Sequence, residues 1–254
     1  MFTMKKLLVF VLIAFTATKL MSQGVFPSEQ EKPKEDRNFR IPLIGETAPS
    51  FTAESTNGTV NFPADFGRNW KILFSHPQDF TPVCSTEILE LAKLQNEFDK
   101  LGAKIVVIST DALSTHVLWK KSLEGLNLNN SGQVSIKFPI VDDKNLLVSK
   151  KYGMIHAATN STKAVRGVFI IDPANIVQAI YFYPPTVGRN TDELLRIVAA
   201  LKNASTGEFL TPVNWKPGND LLVHIPPNTD ANSATVVPAG YYSPVWYLWF
   251  KKAN

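Results

Sequence analysis

Between residues 71 and 203 the chain alternates short, continuous apolar runs with longer stretches whose apolar residues recur at helical spacing, and this alternation restricts the fold more than any other feature. Residues 71–75 and 103–109 read as buried strands. Between them lies a helix over 85–101, with Ile88, Leu91, Leu94, Phe98 and Leu101 on one face. A second helix is predicted over 114–123, a strand over 138–141 and a short helix over 145–152. Residues 165–171 and 176–183 flank the turn Asp172-Pro173-Ala174-Asn175 and so form a hairpin, whereas the earlier strands are joined through helices and need crossover connections. A last helix over 191–203 carries Asp192 and Glu193 in its first turn, where acids suit the helix dipole. The expected architecture is three-layer α/β, a central mixed sheet flanked by helices.

At 254 residues and 44% hydrophobic content, the chain can bury a sizeable core as one large domain or one with a small appendage. Beyond Ser205 the texture changes: prolines recur at 212, 217, 226, 227, 238 and 244, and residues 241–250 crowd aromatics together. Residues 205–254 are therefore read as a C-terminal extension, with the aromatic cluster serving packing or dimerisation. The opposite end differs again. Lys5 and Lys6 precede an apolar run from Leu7 to Ala14 that is too short to span a bilayer, and cleavage after Ser22 fits, so residues 1–22 read as a secretory signal peptide. Residues 23–40, rich in Lys, Glu, Pro and Gln, read as a flexible lead-in, with folded structure starting near Ile41. The expected location is secreted or periplasmic, with no stable membrane span in the mature chain. Lys5, Lys6 and Lys19 account for three of the four net positive charges, so the remainder carries only +1 and nucleic acid is not expected as a partner.

An exported chain of this size with one cysteine cannot close an internal disulfide, so Cys84 is either reactive or deeply hidden. Its setting favours reactivity. Cys84 follows the run Ser75-His76-Pro77-Gln78-Asp79-Phe80-Thr81-Pro82-Val83 and stands where a helix opens, a position that favours thiolate over thiol. Arg166 is the only charged residue between Ala164 and Ile171; in an apolar strand it either lies on a solvated edge or needs an anionic partner, for which a Cys84 thiolate fits, with Glu87 as an orienter. Thr81, three residues before the sulfur, can hold its hydroxyl in the same pocket or serve ordinary turn chemistry. His116, His156 and His224 suggest no catalytic role, and His76 with Cys84 falls short of a metal site, so neither metal nor cofactor is expected.

Pro77, Thr81 and Cys84 reproduce the Pro-x-x-x-Thr-x-x-Cys signature of peroxiredoxins, and the string from His76-Pro77 through Phe80-Thr81-Pro82-Val83-Cys84-Ser85-Thr86-Glu87 resembles the one-cysteine, peroxiredoxin-6-like subfamily. The resemblance extends through Phe138-Pro139-Ile140-Val141-Asp142-Asp143, Arg166, Tyr183-Pro184, Gly188-Arg189-Asn190 and Thr211-Pro212-Val213-Asn214-Trp215. It implies a thioredoxin-like fold over 41–204 with the extension behind it, a family-like homodimer, and an antioxidant thiol peroxidase acting on hydrogen peroxide and organic hydroperoxides. By the same resemblance, Cys84 is the peroxidatic nucleophile, Arg166 stabilises it and aligns the peroxide, Thr81 hydrogen-bonds the peroxide and Pro77 shields the pocket from water. His76 is expected either near the pocket or in a structural role after the strand, and Arg189 is expected to support the network around Arg166.

Two departures qualify the resemblance. Two-cysteine relatives resolve the sulfenic acid with a second thiol, which is missing here, so the reductant must be an external thiol or other donor. The serine and histidine linked to phospholipase activity in some relatives are replaced by Asn69 and Pro63, which removes the nucleophile and base of acyl transfer.

Overall fold

A computed structural model describes residues 40–128, 132–225 and 237–253, all within one compact unit. The leader and, but for Arg40, the lead-in read from the sequence lie outside the described residues. A seven-stranded sheet runs through the centre, in the order β2-β1-β5-β4-β3-β6-β7. Its strands are β1 (Phe51–Ser55), β2 (Gly58–Phe62), β3 (Trp70–His76), β4 (Ala103–Ser109), β5 (Ile140–Asp142), β6 (Arg166–Ile171) and β7 (Val177–Tyr183). The pairs β3·β4 and β4·β5 are parallel, while β3·β6, β6·β7, β1·β5 and β1·β2 are antiparallel, so the sheet is mixed. The helices are α1 (Pro82–Lys100), α2 (Leu113–Glu124), α3 (Leu147–Lys151) and α4 (Thr191–Ala204).

Strand alternation sends side chains to two separate apolar cores. Ile72 and Phe74 of β3, Ile105 and Val107 of β4, and Val168 and Ile170 of β6 pack with Ile88 and Leu91 of α1, Trp119 of α2 and Leu194 of α4. Leu73, Val106, Ile108, Phe169 and Ile171, from the same strands, pack on the opposite face with Val148 and Tyr152 and with Phe51 and Phe62 of the first hairpin. Both faces are covered, which is why these strands appear in the sequence as unbroken apolar runs rather than alternating ones. The fold is thioredoxin-like.

The first hairpin, β1 and β2, has no counterpart in the sequence reading. Thr52, Thr59 and Asn61 are exposed and interleave with its buried residues, so no apolar run marks it. Past α4 a second sheet of four short strands forms, in the order β10-β11-β9-β8, from β8 (Phe209–Leu210), β9 (Leu221–Val223), β10 (Tyr241–Val245) and β11 (Leu248–Lys251). Trp215, in the connection between β8 and β9, is buried against Ala199 and Ala200 of α4 and accepts Arg196 Nη1 on its carbonyl at 3.2 Å. Among the described residues no helix is long and apolar enough to cross a membrane.

Candidate active site

The chain leaves β3 at His76, turns through residues 77–81 and enters α1 at Pro82. Proline suits that first helical position because its missing N–H would have no intrahelical acceptor there. Thr81 is the N-cap, in extended conformation, and its carbonyl accepts Ser85 N–H at 3.0 Å. Its hydroxyl does not cap the helix; it donates to the Gln78 carbonyl at 2.8 Å. Cys84 therefore lies in the first turn, where backbone N–H groups lack intrahelical acceptors and the helix dipole is positive.

Beside β3, the antiparallel strand β6 begins with Arg166, whose guanidinium reaches across to α1. Its Nη1 lies 3.2 Å from Cys84 Sγ and donates to Glu87 Oε2 at 2.7 Å. Its Nε and Nη2 both donate to the Pro185 carbonyl, at 3.0 and 2.6 Å. Glu87 stands one helical turn after Cys84 and also receives Arg189, through Nε, Nη2 and the backbone N–H, each at 2.8 Å. Arg189 Nη1 donates to the carbonyls of Ser75 and Gly167, and its guanidinium carbon sits 3.3 Å above the Phe74 ring. All four groups, Cys84, Glu87, Arg166 and Arg189, are buried.

Two guanidiniums and one carboxylate leave this buried cluster one positive charge in excess, with Arg166 Nη1 beside Cys84 Sγ. Burial by itself would push the Glu87 carboxyl up, but the hydrogen bonds and charge of Arg189 and the charge of Arg166 outweigh it and hold Glu87 below the usual carboxylate range. Burial lowers Arg189, opposed by its bonds and attraction to Glu87.

Cys84 lies at a cavity of about 460 Å³. Pro77, Thr81, Pro82, Val83, Arg166 and Pro185 contribute to its walls. The residues read from the sequence as Cys84, Thr81, Pro77 and Arg166 thus share one cavity, with Glu87 and Arg189 directly behind them. His76 does not join its lining. It is fully buried with Nε2 against Asp79 Oδ1 at 2.8 Å and its ring 4.9 Å from that of Trp119. Sequence reasoning missed the Pro185 carbonyl, a backbone group with no side-chain signal, and Asp79 with His116, whose pairing joins residues 37 apart.

Comparison with known proteins agrees with this geometry. The AhpC/TSA family matches residues 44–180. A peroxiredoxin of Methanosarcina mazei is 43% identical over 192 residues, covering 75% of this chain and 88% of its own. The mitochondrial peroxiredoxin PRX1 of Saccharomyces cerevisiae is 38% identical over 218 residues, covering 83% of this chain and 81% of its own. Among solved structures, a yeast mitochondrial 1-Cys peroxiredoxin, described for thiol resolution through glutathione and thioredoxin systems, aligns at TM-score 0.71 and 35% identity, over 84% of this chain and all of the other. A cysteine-to-serine mutant of peroxiredoxin 6 from Arenicola marina aligns at TM-score 0.69 and 30% identity, over 84% of this chain and 98% of its own. With a lone cysteine held against an arginine at a helix N-terminus, this chain belongs to the AhpC/TSA family, as a thiol peroxidase of the peroxiredoxin group that works through a single peroxidatic cysteine and an external reductant.

Proposed function

We propose that Cys84 thiolate attacks the terminal oxygen of a hydroperoxide bound in the cavity beside it, with Arg166, Thr81 and Pro77 in distinct supporting roles. The S–O bond forms as the O–O bond breaks; the departing oxygen takes a proton and leaves as water or an alcohol, and the sulfur, oxidised by two electrons, becomes a sulfenic acid. Negative charge moves from sulfur toward the departing oxygen, so a fixed cation helps most when it spans both. The observation that carries this reading is Arg166 Nη1 at 3.2 Å from Cys84 Sγ, in a guanidinium whose other nitrogens are held by the Pro185 carbonyl. Thr81 Oγ1, whose proton goes to the Gln78 carbonyl, can accept from the peroxide O–H, and Pro77 adds apolar wall that keeps water off the sulfur. Glu87 and Arg189 hold Arg166 in place.

The cavity has room for organic hydroperoxides as well as hydrogen peroxide. An external thiol, a small molecule or a thioredoxin-type protein, attacks the sulfenic sulfur, releases water and leaves a mixed disulfide that a second thiol reduces. The working form is a homodimer, for which the aromatic C-terminal strands supply packing surface. The leader directs the chain out of the cytoplasm; Lys5, Lys6 and the apolar run after them support this. Peroxide consumption by wild type against Cys84→Ser tests the chemistry, with near-complete loss expected and retained turnover refuting it. Mass spectrometry after graded peroxide exposure reads sulfenic and higher oxidation at Cys84 and fixes the mature N-terminus.

A further inference from the structure

The loop over 77–81 carries three cavity residues, Pro77, Gln78 and Thr81, and what holds it is a buried group outside the cavity. Asp79, at its middle, turns its carboxylate inward between two histidines: Oδ1 meets His76 Nε2 at 2.8 Å and Oδ2 meets His116 Nδ1 at 2.6 Å. His76 ends β3 and His116 stands in α2, so one carboxylate ties the loop to the strand before it and to a helix well along the chain. All three residues are buried. Asp79 N–H also donates to Asp111 Oδ2 at 2.6 Å, Asp111 Oδ1 pairs with Lys163 at 2.6 Å, and Thr110 Oγ1 donates to the Pro77 carbonyl at 3.3 Å. The next residue, Phe80, has φ of 53°, a left-handed conformation that a bulky residue keeps only when its neighbours impose it.

A carboxylate can only accept, so each histidine carries its proton on the nitrogen facing Asp79. The remaining nitrogens, His76 Nδ1 and His116 Nε2, are buried with no hydrogen-bond partner among the described residues. Each imidazole is thus committed to Asp79 alone. A pair serving packing only would not need both rings on the one residue that lies two positions from Pro77 and two from Thr81.

We propose that Asp79 is a positioning residue for peroxide reduction: by clamping His76 and His116 it fixes Thr81 and Pro77 over the sulfur, and its loss slows attack on peroxide beyond any effect on folding. This rests on the peroxidase reading above. Misplacing a group by about 1 Å at a reacting centre costs on the order of 10²-fold in rate, and that is the loss expected for Asp79→Ala with hydrogen peroxide, expressed per titrated thiol. Iodoacetamide alkylation of Cys84, which makes no use of Thr81, should stay level or rise in the same variant.

Asp79→Asn distinguishes geometry from charge. Its oxygen accepts from one histidine and its amide donates to the other after a tautomer change, so the bridge survives and most of the rate should return. The decisive measurement is a double-mutant cycle with Thr81→Val. If Asp79 acts through Thr81, the Asp79→Ala penalty shrinks several-fold in that background. An unchanged rate per thiol in Asp79→Ala, or the same penalty with and without Thr81, overturns the proposal and leaves Asp79 a stabilising residue. Should Asp79→Ala fail to fold, His116→Phe removes one of the two anchors while keeping the ring, with roughly tenfold slowing expected from partial misplacement; a wild-type rate there overturns the proposal equally. Wild type and Cys84→Ser, run alongside, separate the outcomes: no peroxide turnover by wild type sinks the peroxidase reading, whereas normal turnover with an indifferent Asp79→Ala sinks only this inference.

Discussion

Replacing Glu87 by glutamine tests whether the buried charges behave as one unit. The carboxylate accepts four hydrogen bonds, one from Arg166 at 2.7 Å and three from Arg189 at 2.8 Å, and its side chain is 3% exposed. A glutamine turns one acceptor oxygen into an NH₂ group that faces guanidinium donors, and two buried cations lose the carboxylate between them. Removing one partner of a buried ion pair costs about 3–5 kcal/mol, because the remaining charge stays out of water uncompensated. In a chain of this size that corresponds to a melting point lower by roughly 6–20 °C. An exposed pair would cost only about 1 kcal/mol or less, so the magnitude discriminates.

The pH dependence is a second check. The folded-state carboxyl is held below its ordinary value of 4.5, so its stabilisation is fully present above that pH and is lost as pH falls through the lower folded value. Urea unfolding of wild type and Glu87→Gln should therefore differ most at pH 7 and converge as the solution is acidified below 4.5. A gap under about 1 kcal/mol at pH 7, or one that does not change with pH, would refute the account.

Three further outcomes follow from the geometry. Arg166→Lys keeps the charge but cannot reach Sγ, Glu87 and the Pro185 carbonyl together, so the peroxide rate should fall on the order of 10²-fold in stopped-flow assays; a change under threefold counts against the guanidinium's role. Burial, assisted by the charges of His116 and Arg189 and opposed by Asp79, holds His76 below its ordinary value of 6.5. The contribution is complete above pH 6.5 and declines as pH falls toward the lowered value, while Asp79 and Glu87, also held low, titrate further down; a flat urea midpoint between pH 7.5 and 5 would contradict this. Gly153→Ala would place a Cβ 2.7 Å from the Ile41 backbone nitrogen at a φ of +60°, so stability should drop by about 1–3 kcal/mol with the rate per thiol unchanged; an unaltered melting curve would show that the backbone yields there.

Much of the site was legible because its chemistry breaks local rules. Arg166 interrupts an apolar strand, and Cys84 with Thr81 and Pro77 sits at fixed spacing where a strand gives way to a helix. The central strands were readable because burial on both faces makes them uniformly apolar. The first hairpin was not, since exposed polar residues divide its core residues, and β8 and β9 of the second sheet, at two and three residues, are too short for any period to register. The resemblance offered His76 either a place near the pocket or a structural role after the strand. Its partner is Asp79, which also meets His116 on a separate helix, an arrangement no local pattern encodes.

The exposure of the sulfur has a consequence for what can reach it. Cys84 is only 1% exposed, yet it borders a cavity of about 460 Å³. A reactant arriving from bulk solvent meets almost no surface of Cys84 directly and must first enter the cavity, which holds many times the roughly 30 Å³ of a single water. Entry to the cavity thus comes before chemistry. The alternative posed by a lone thiol, reactive or hidden, dissolves here: Cys84 is covered from bulk solvent and still faces the cavity it borders.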